Sequence, residues 1–275
     1  MEVISNSLYL VPTPIGNLSE LSARALFVLK NVDYIFCEDT RNTLKLLNHF
    51  DFTKHLISLH EHNEQTASNK VIDFLKEGKS IAYVSDAGTP LISDPGSILV
   101  NKVREANYKV IPLSGPSALI NALVGSGFDI THFYFQGFLS LKSSLRKKEL
   151  LDLSHRLETI VIYESPHKFM ETIKEFIEVF KERKICVCRE LTKIYEEFFI
   201  GNAPEILQHY QEGIKGEIVL VIENQKKELI IDDALLLKKL SLKLKTLSAK
   251  DAIEQLSQET QIAKNYLKSL YLGHK

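Results

Sequence analysis

The sequence predicts an α/β protein: a parallel sheet in the first half, a mixed sheet in the second, and a small helical tail. Three observations carry this. Strand-like and helix-like segments alternate five times between residues 8 and 127, the pattern of βαβ repetition with helices on both faces of a parallel sheet. In the second half two strand-like segments are separated by only about two residues, around Thr192 and Lys193, which implies a hairpin and antiparallel pairing. Proline then stops at Pro204, and no glycine occurs between Gly216 and Gly273, so the tail is of a different composition.

The elements follow in order. LYLV (8–11) is a short apolar run and reads as a buried strand, followed by the helical spacing of SARALFVLKN (22–31). VDYIFCED (32–39) and HLISLH (55–60) are strands, each followed by a helix, over 42–50 and about 64–77. SIAYVSD (80–86) and YKVIPL (108–113) are strands, with helices over 97–107 and 116–127. In the second half, strands are expected at 132–138, 159–165, 184–191, 194–202 and 216–223, with helices near 143–154, 167–181 and 203–211. The tail reads as three short helices, 232–243, 248–258 and 261–272, after a linker near 224–232. The expected divisions are 1–128, 129–225 and 226–275.

Composition narrows the class. The 275 residues suffice for about two domains and a core that needs no disulfide or metal. With 44 % apolar and 25 % charged residues, wholesale disorder is excluded. No apolar run approaches the roughly 18 residues of a membrane span, so no membrane partner is expected. The start, MEVISNSLYLVPTPIG, has no basic region and no long apolar stretch, so no secretory signal is expected. Cys37, Cys186 and Cys188 form no even framework and no CxxC pair, which suits a reducing, cytoplasmic setting. Cys186 and Cys188, two apart on a strand, share a face and read as core. The net charge of −1 is not that of a general nucleic-acid binder, and no DNA partner is expected. The charge is uneven, however: residues 226–275 carry +4 and residues 1–225 carry −5.

Six of the eight prolines fall in three clusters with glycine: VPTPIG (11–16), GTPLISDPG (88–96) and PLSGPS (112–117). These follow the first, fourth and fifth strands, at the carboxyl ends where open α/β sheets bind ligands. One such cluster is an ordinary turn; three converging suggest a small-molecule pocket. No GxGxxG and no GxxxxGK[ST] is present, so dinucleotide and P-loop readings lose their mechanical support. Asp86 and Asp94 in SDAGTPLISDPG would repel phosphate and suit a neutral or cationic ligand.

Other constellations stay open between structural and functional roles. CEDTR places Asp39 as a helix N-cap with Glu38 paired to Arg41, or makes Arg41 a phosphate grip beside a substrate-orienting carboxylate. LHEHNE clusters His60, Glu61, His62 and Glu64; a third consistent metal ligand is missing and no metal is expected. Glu64 is expected to start the following helix, with His60 or Asn63 toward a cleft. KSSLRKK (142–148) is a solvated helix face or a phosphate contact. In the tail, Ser248 with Asp251 reads as a capping pair, Thr260 as the cap of the last helix, and Lys264, Tyr266 and Lys268 as its presented face, for RNA contact or for packing.

LYLVPTPIGNL (8–18), CEDTRNT (37–43), LHEHNE (59–64), YVSDAGTPLISDPG (83–96), PLSGPSALINAL (112–123), FQGFL (135–139), YESPHK (163–168), CRELTK (188–193) and KGEIVLVIE (215–223) together resemble the tetrapyrrole-methylase-like class of S-adenosylmethionine methyltransferases. Within it they are similar to the branch that methylates a cytidine 2′-hydroxyl in the decoding region of bacterial small-subunit ribosomal RNA. The resemblance implies two α/β domains with S-adenosylmethionine in the cleft between them, a homodimer, and a helix-turn-helix-like tail. It implies donor contacts from Pro14, Asp86, Gly88, Thr89, Ile92, Ser117 and Ala118, and from Tyr163, Glu190, Leu191 and Gly216 in the second domain. Asp39, Arg41, His60 and Glu164 are then expected on the acceptor side, where a base would help deprotonate the ribose hydroxyl. Two alternatives are a same-fold methyltransferase of a tetrapyrrole or other small metabolite, and an RNA-binding module without catalysis.

Overall fold

The computed structural model describes residues 2–225, 233–260 and 262–273, in two compact units, Met1–Gln225 and Lys226–Lys275. In the larger unit β1 (Ser7–Leu10), α1 (Ala23–Asn31), β2 (Tyr34–Cys37), α2 (Thr40–His49), β3 (Leu56–Ser58), α3 (Glu64–Lys76), β4 (Ile81–Val84), α4 (Ser97–Glu105), β5 (Lys109–Pro112) and α5 (Ala118–Ser126) come first. Then follow β6 (Phe133–Phe138), α6 (Ser143–Ser154), β7 (Thr159–Glu164), α7 (Pro166–Phe180), β8 (Ile185–Arg189), β9 (Glu197–Gly201), α8 (Ala203–His209) and β10 (Ile218–Ile222).

The first sheet has the order β3-β2-β4-β1-β5, with every neighbouring pair parallel. Its strands are apolar on both faces because helices cover both. Tyr9, Ile35, Ala82 and Val84 pack on Ala25, Val28 and Leu29 of α1 and Leu47 of α2. Leu8, Phe36, Ile81 and Tyr83 pack on Val71 and Leu75 of α3 and Leu99 and Val103 of α4. Each such fully buried side chain contributes about 1.5–3 kcal/mol relative to exposure. Local signals set the helix starts: Ser22 accepts from the Ala25 N–H at 3.1 Å, and Asp39 accepts from the Arg41 N–H at 2.8 Å.

The second sheet has the order β6-β7-β10-β8-β9; β6 and β7 are parallel and the remaining pairs antiparallel. The hairpin around Thr192 exists, but its loop is longer than expected, 190–196, because Glu190 and Thr192 adopt positive φ and divert the chain out of the sheet. One face packs Ile160, Val187 and Leu220 on α6, α7 and α8. The other packs Val161, Cys186, Cys188 and Val219 on Leu119, Ala122 and Leu123 of α5, a helix contributed by the chain that leaves the first sheet. Both cysteines are fully buried.

The described residues of the smaller unit form three helices, α9 (Asp233–Lys243), α10 (Ala249–Thr260) and α11 (Lys264–Gly273), around Leu236, Leu240, Leu256 and Leu267. Ser248 accepts from the Asp251 N–H and donates to its carboxylate, as its cap position requires. Thr260 does not cap α11. It is the last residue of α10, where its hydroxyl donates back to the Leu256 carbonyl at 2.6 Å. Most of the expected linker, residues 226–232, lies outside the described residues. No helix among the described residues is long and apolar enough to cross a membrane.

Candidate functional site

The loops after β1, β4 and β5 are tied to one another. Thr13 and Gly88 exchange both backbone hydrogen bonds at 2.9 Å, joining the first loop to the second. The Thr89 hydroxyl donates to the Pro116 carbonyl at 2.9 Å, joining the second to the third. Gly88 has φ +82°, and a Cβ there would meet Ile15 at 3.2 Å, so the bridge needs glycine. The far end of the second loop is held by Glu64. Glu64 starts α3 as expected, and its carboxylate also accepts from the N–H groups of Gly96, Ile98 and Leu99 at 2.8–3.1 Å, so it caps α4 as well.

These loops form one wall of a cavity of about 400 Å³, and loops of the second sheet form the other. From the first wall Gly88, Thr89, Ile92, Ser117 and Ala118 line it. From the second come Tyr163, Glu164, Leu191 and Gly216. The phenol of Tyr163 is pushed up to about 12 by burial, and its ring meets Phe138 edge-on at 5.6 Å. Gly216 has φ +93°, and a Cβ on it would strike the Glu190 side chain. Glu190 itself stands behind the wall, accepting from Lys193 at 2.8 Å and from the Glu217 N–H at 2.9 Å. Pro14 and Asp86 line a separate crevice of about 220 Å³ against α2. The Asp86 carboxylate there accepts from the Asp39 N–H and from the Asn42 amide, which fixes the start of α2.

The four expected acceptor-side residues are not brought together. Asp39 and Arg41 pair with each other, at 2.7 Å between Nη2 and Oδ2, and line neither cavity. The Arg41 hydrogen bonds hold the Asp39 carboxyl down at about 2. Glu38 is therefore not the partner of Arg41; burial and the nearby Asp94, Asp86 and Asp39 raise its pKa instead. His60 contacts His62 edge-on at 5.9 Å, and its buried Nδ1 has no hydrogen-bond partner among the described residues. Glu164 is buried in the cavity wall, accepting from the Ser165 N–H at 2.7 Å and from the Thr172 hydroxyl. Arg146 stands behind it, 3.8 Å away, and bonds Thr172 at 2.6 Å and Glu175 at 2.7 Å. Arg146 is thus buried inside the protein and is no phosphate contact, although its neighbours in KSSLRKK are exposed. Among the described residues no group of three His, Cys, Asp or Glu side chains is arranged to hold a metal ion.

Sequence reasoning missed Phe138 and Glu217, which line the larger cavity. Asp94, which lines it too, was legible as an acid of the ligand loop that repels phosphate and suits a cation, but not as a site residue. Its lining position depends on how the loop after β4 closes on α4.

A match to the family described as Tetrapyrrole (Corrin/Porphyrin) Methylases covers residues 7–207. The chain is 46 % identical to the ribosomal RNA small subunit methyltransferase I of Bacillus subtilis, over 80 % of this chain and 76 % of that one. To the protein of that name from Vibrio cholerae it is 43 % identical, over 94 % and 92 %. Among solved structures, a cobalt precorrin-4 methyltransferase of cobalamin biosynthesis aligns with a TM-score of 0.59 at 15 % identity, over 79 % of this chain and 95 % of that one. A uroporphyrin-III C-methyltransferase from Thermus thermophilus aligns with a TM-score of 0.55 at 19 % identity, over 79 % and 94 %; both show the shared fold. With its two sheets, its tied loops and this span of likeness, the chain belongs to the tetrapyrrole (corrin/porphyrin) methylase family.

Proposed function

We propose that the chain is an S-adenosylmethionine-dependent methyltransferase that modifies the ribose 2′-hydroxyl of a cytidine in the decoding region of small-subunit ribosomal RNA. The observation that carries this is the cavity between the two walls. Its volume suits a ligand of nucleoside size. Its charged lining residues are Asp94, Glu164 and Glu217, all acidic, which suits a cation and opposes a phosphate. The donor brings a methyl group on a positively charged sulfur. The names of the curated relatives support the RNA substrate; the motif resemblance supports the ribose hydroxyl and the cytidine.

The chain's own residues then have these parts. Gly88 lets the loop backbone approach the ligand, and Thr89, Ser117 and Ala118 close that side. Ile92, Tyr163 and Leu191 supply apolar surface, and Tyr163 remains a neutral hydroxyl near neutral pH. Gly216 and Glu190 set the opposite loop, while Pro14 and Asp86 hold the first loop and α2 in register. Alignment of hydroxyl and methyl in the closed cavity is worth up to about 7–11 kcal/mol of barrier. Arg41, paired to Asp39 but with its side chain 85 % exposed, is the cation this reading offers to a phosphate. In the tail, Lys264 and Tyr266 are engaged by Glu254 and Asp233, so RNA contact falls to Lys238, Lys239, Lys245 and Lys268, which form no ion pair among the described residues. The reading includes a cytoplasmic homodimer. Ile194, 95 % exposed, and Tyr195, 71 % exposed, support it, since a second copy would cover them.

Transfer of labelled methyl to isolated small subunits tests the proposal. Label on ribosomal RNA is the expected result. Label only on a tetrapyrrole or another acid-soluble metabolite, or no transfer at all, would overturn it.

A further inference from the structure

We propose that Asp94 takes the proton of the ribose hydroxyl; this rests on the methyl-transfer reading above. The rival bases are otherwise engaged. Asp39 lies outside the cavity, and Arg41 holds both its oxygens, which makes it a weak base. Glu164 lines the cavity, but its oxygens accept from Ser165 and Thr172, with Arg146 beside them. Glu217 is 75 % exposed and paired to Lys193 at 2.9 Å. His60 does not line the cavity.

Asp94 lines the cavity and has no ion-pair partner among the described residues. It is also rigidly placed. The Tyr83 hydroxyl donates to the carbonyl of Pro95 at 2.9 Å, and Glu64 holds the Gly96 N–H at 3.0 Å. The titratable groups facing Asp94 are Asp86 of its own loop, Glu38 at the end of β2, Tyr83 of β4 and Tyr163 of β7. None of them is a cation. Burial and the charge of Asp86 raise the proton affinity of the Asp94 carboxyl, against a hydrogen bond from Ser85. A carboxylate made more basic in this way is the better general base.

The step balances. As the hydroxyl oxygen bonds the methyl carbon, the carbon–sulfur bond breaks and its electron pair stays on sulfur. The hydroxyl proton passes to an Asp94 oxygen. A cation and a carboxylate become a neutral thioether and a neutral acid, so the buried site separates no new charge.

The test uses the full chain, isolated small subunits and saturating donor in single turnovers across pH. Asp94→Asn is expected to slow transfer by about 10²–10⁴-fold while donor binding by calorimetry persists. The wild-type rate falls on the acid side as Asp94 takes up its proton, and that limb is absent from Asp94→Asn. A readout without turnover accompanies these. The Asp94 pKa is raised from 3.8, so its ionisation destabilises the fold as pH climbs from that value through the folded one. Asp94→Asn is therefore expected to resist urea better than the wild type at neutral pH, with the difference vanishing below the unfolded value. Wild-type transfer to RNA together with an Asp94→Asn rate within about tenfold of it would overturn the assignment. A wild-type chain that methylates no RNA would instead overturn the reading on which it rests.

Discussion

The two walls of the cavity are built by different physics. On the first-sheet side, every tie has a backbone group as a partner: the Thr13–Gly88 bridge, the Thr89 hydroxyl on the Pro116 carbonyl, and three N–H groups gathered by the Glu64 carboxylate. On the second-sheet side, charged side chains hold one another: Arg146 between Glu175 and Glu164, Lys193 between Glu190 and Glu217, Arg189 on Glu197 at 2.9 Å. A wall of the first kind is fixed by turn geometry and is insensitive to salt. A wall of the second kind is only as strong as its burial, because exposed pairs are screened and buried ones are costly to break.

That contrast orders the expected effects of substitution. The largest belongs to Arg146→Met, which leaves the buried Glu164 and the partly buried Glu175 without the cation they share. Urea unfolding should show a loss of about 3–5 kcal/mol. Next comes Glu64→Ala on the other wall, which strips the cap from three N–H groups of α4; the same measurement should show about 1.5–3 kcal/mol. Gly88→Ala forces a side chain into a left-handed backbone and against Ile15. About 1–2 kcal/mol of stability should go, with a clear fall in donor affinity by calorimetry. Lys193→Ala breaks two partly exposed pairs and should cost under about 1 kcal/mol, less still in high salt. If it proves the costlier change, the distinction between the walls fails.

The smallest effect is a titration. Asp39 is held at about 2 by Arg41, so its capping contribution is complete above its ordinary 3.8 and is lost as pH falls through about 2. In Arg41→Ala, carbon NMR of the Asp39 carboxyl should find its midpoint moved up toward 3.8. An unmoved midpoint would mean that the helix start alone sets it.

The first sheet was legible because its βαβ alternation is local, and the lining glycines and threonines sit in the Pro/Gly turns that announce themselves. What escaped was tertiary. Nothing in LHEHNE says that Glu64 reaches across to cap α4, since that depends on how α3 and α4 pack. Nothing in KSSLRKK separates Arg146 from its exposed lysine neighbours except its angle on α6, which turns it toward Glu164. Asp39 read both as the cap of α2 and as a reagent; it is the cap, and Arg41 pairs with it rather than with Glu38, because two residues on a helix start satisfy each other first. As a site residue Asp94 came to light only through the closing of its loop on the cavity.

The most direct test of the central claim, that the space between the two walls is the methyl-donor site, is a crystal of the chain grown with S-adenosylhomocysteine. The expected result is ligand density between Gly88–Thr89 and Tyr163–Gly216, with the sulfur nearer Asp94 than Asp39. Density elsewhere on the protein, or an empty cavity at saturating ligand, would contradict it.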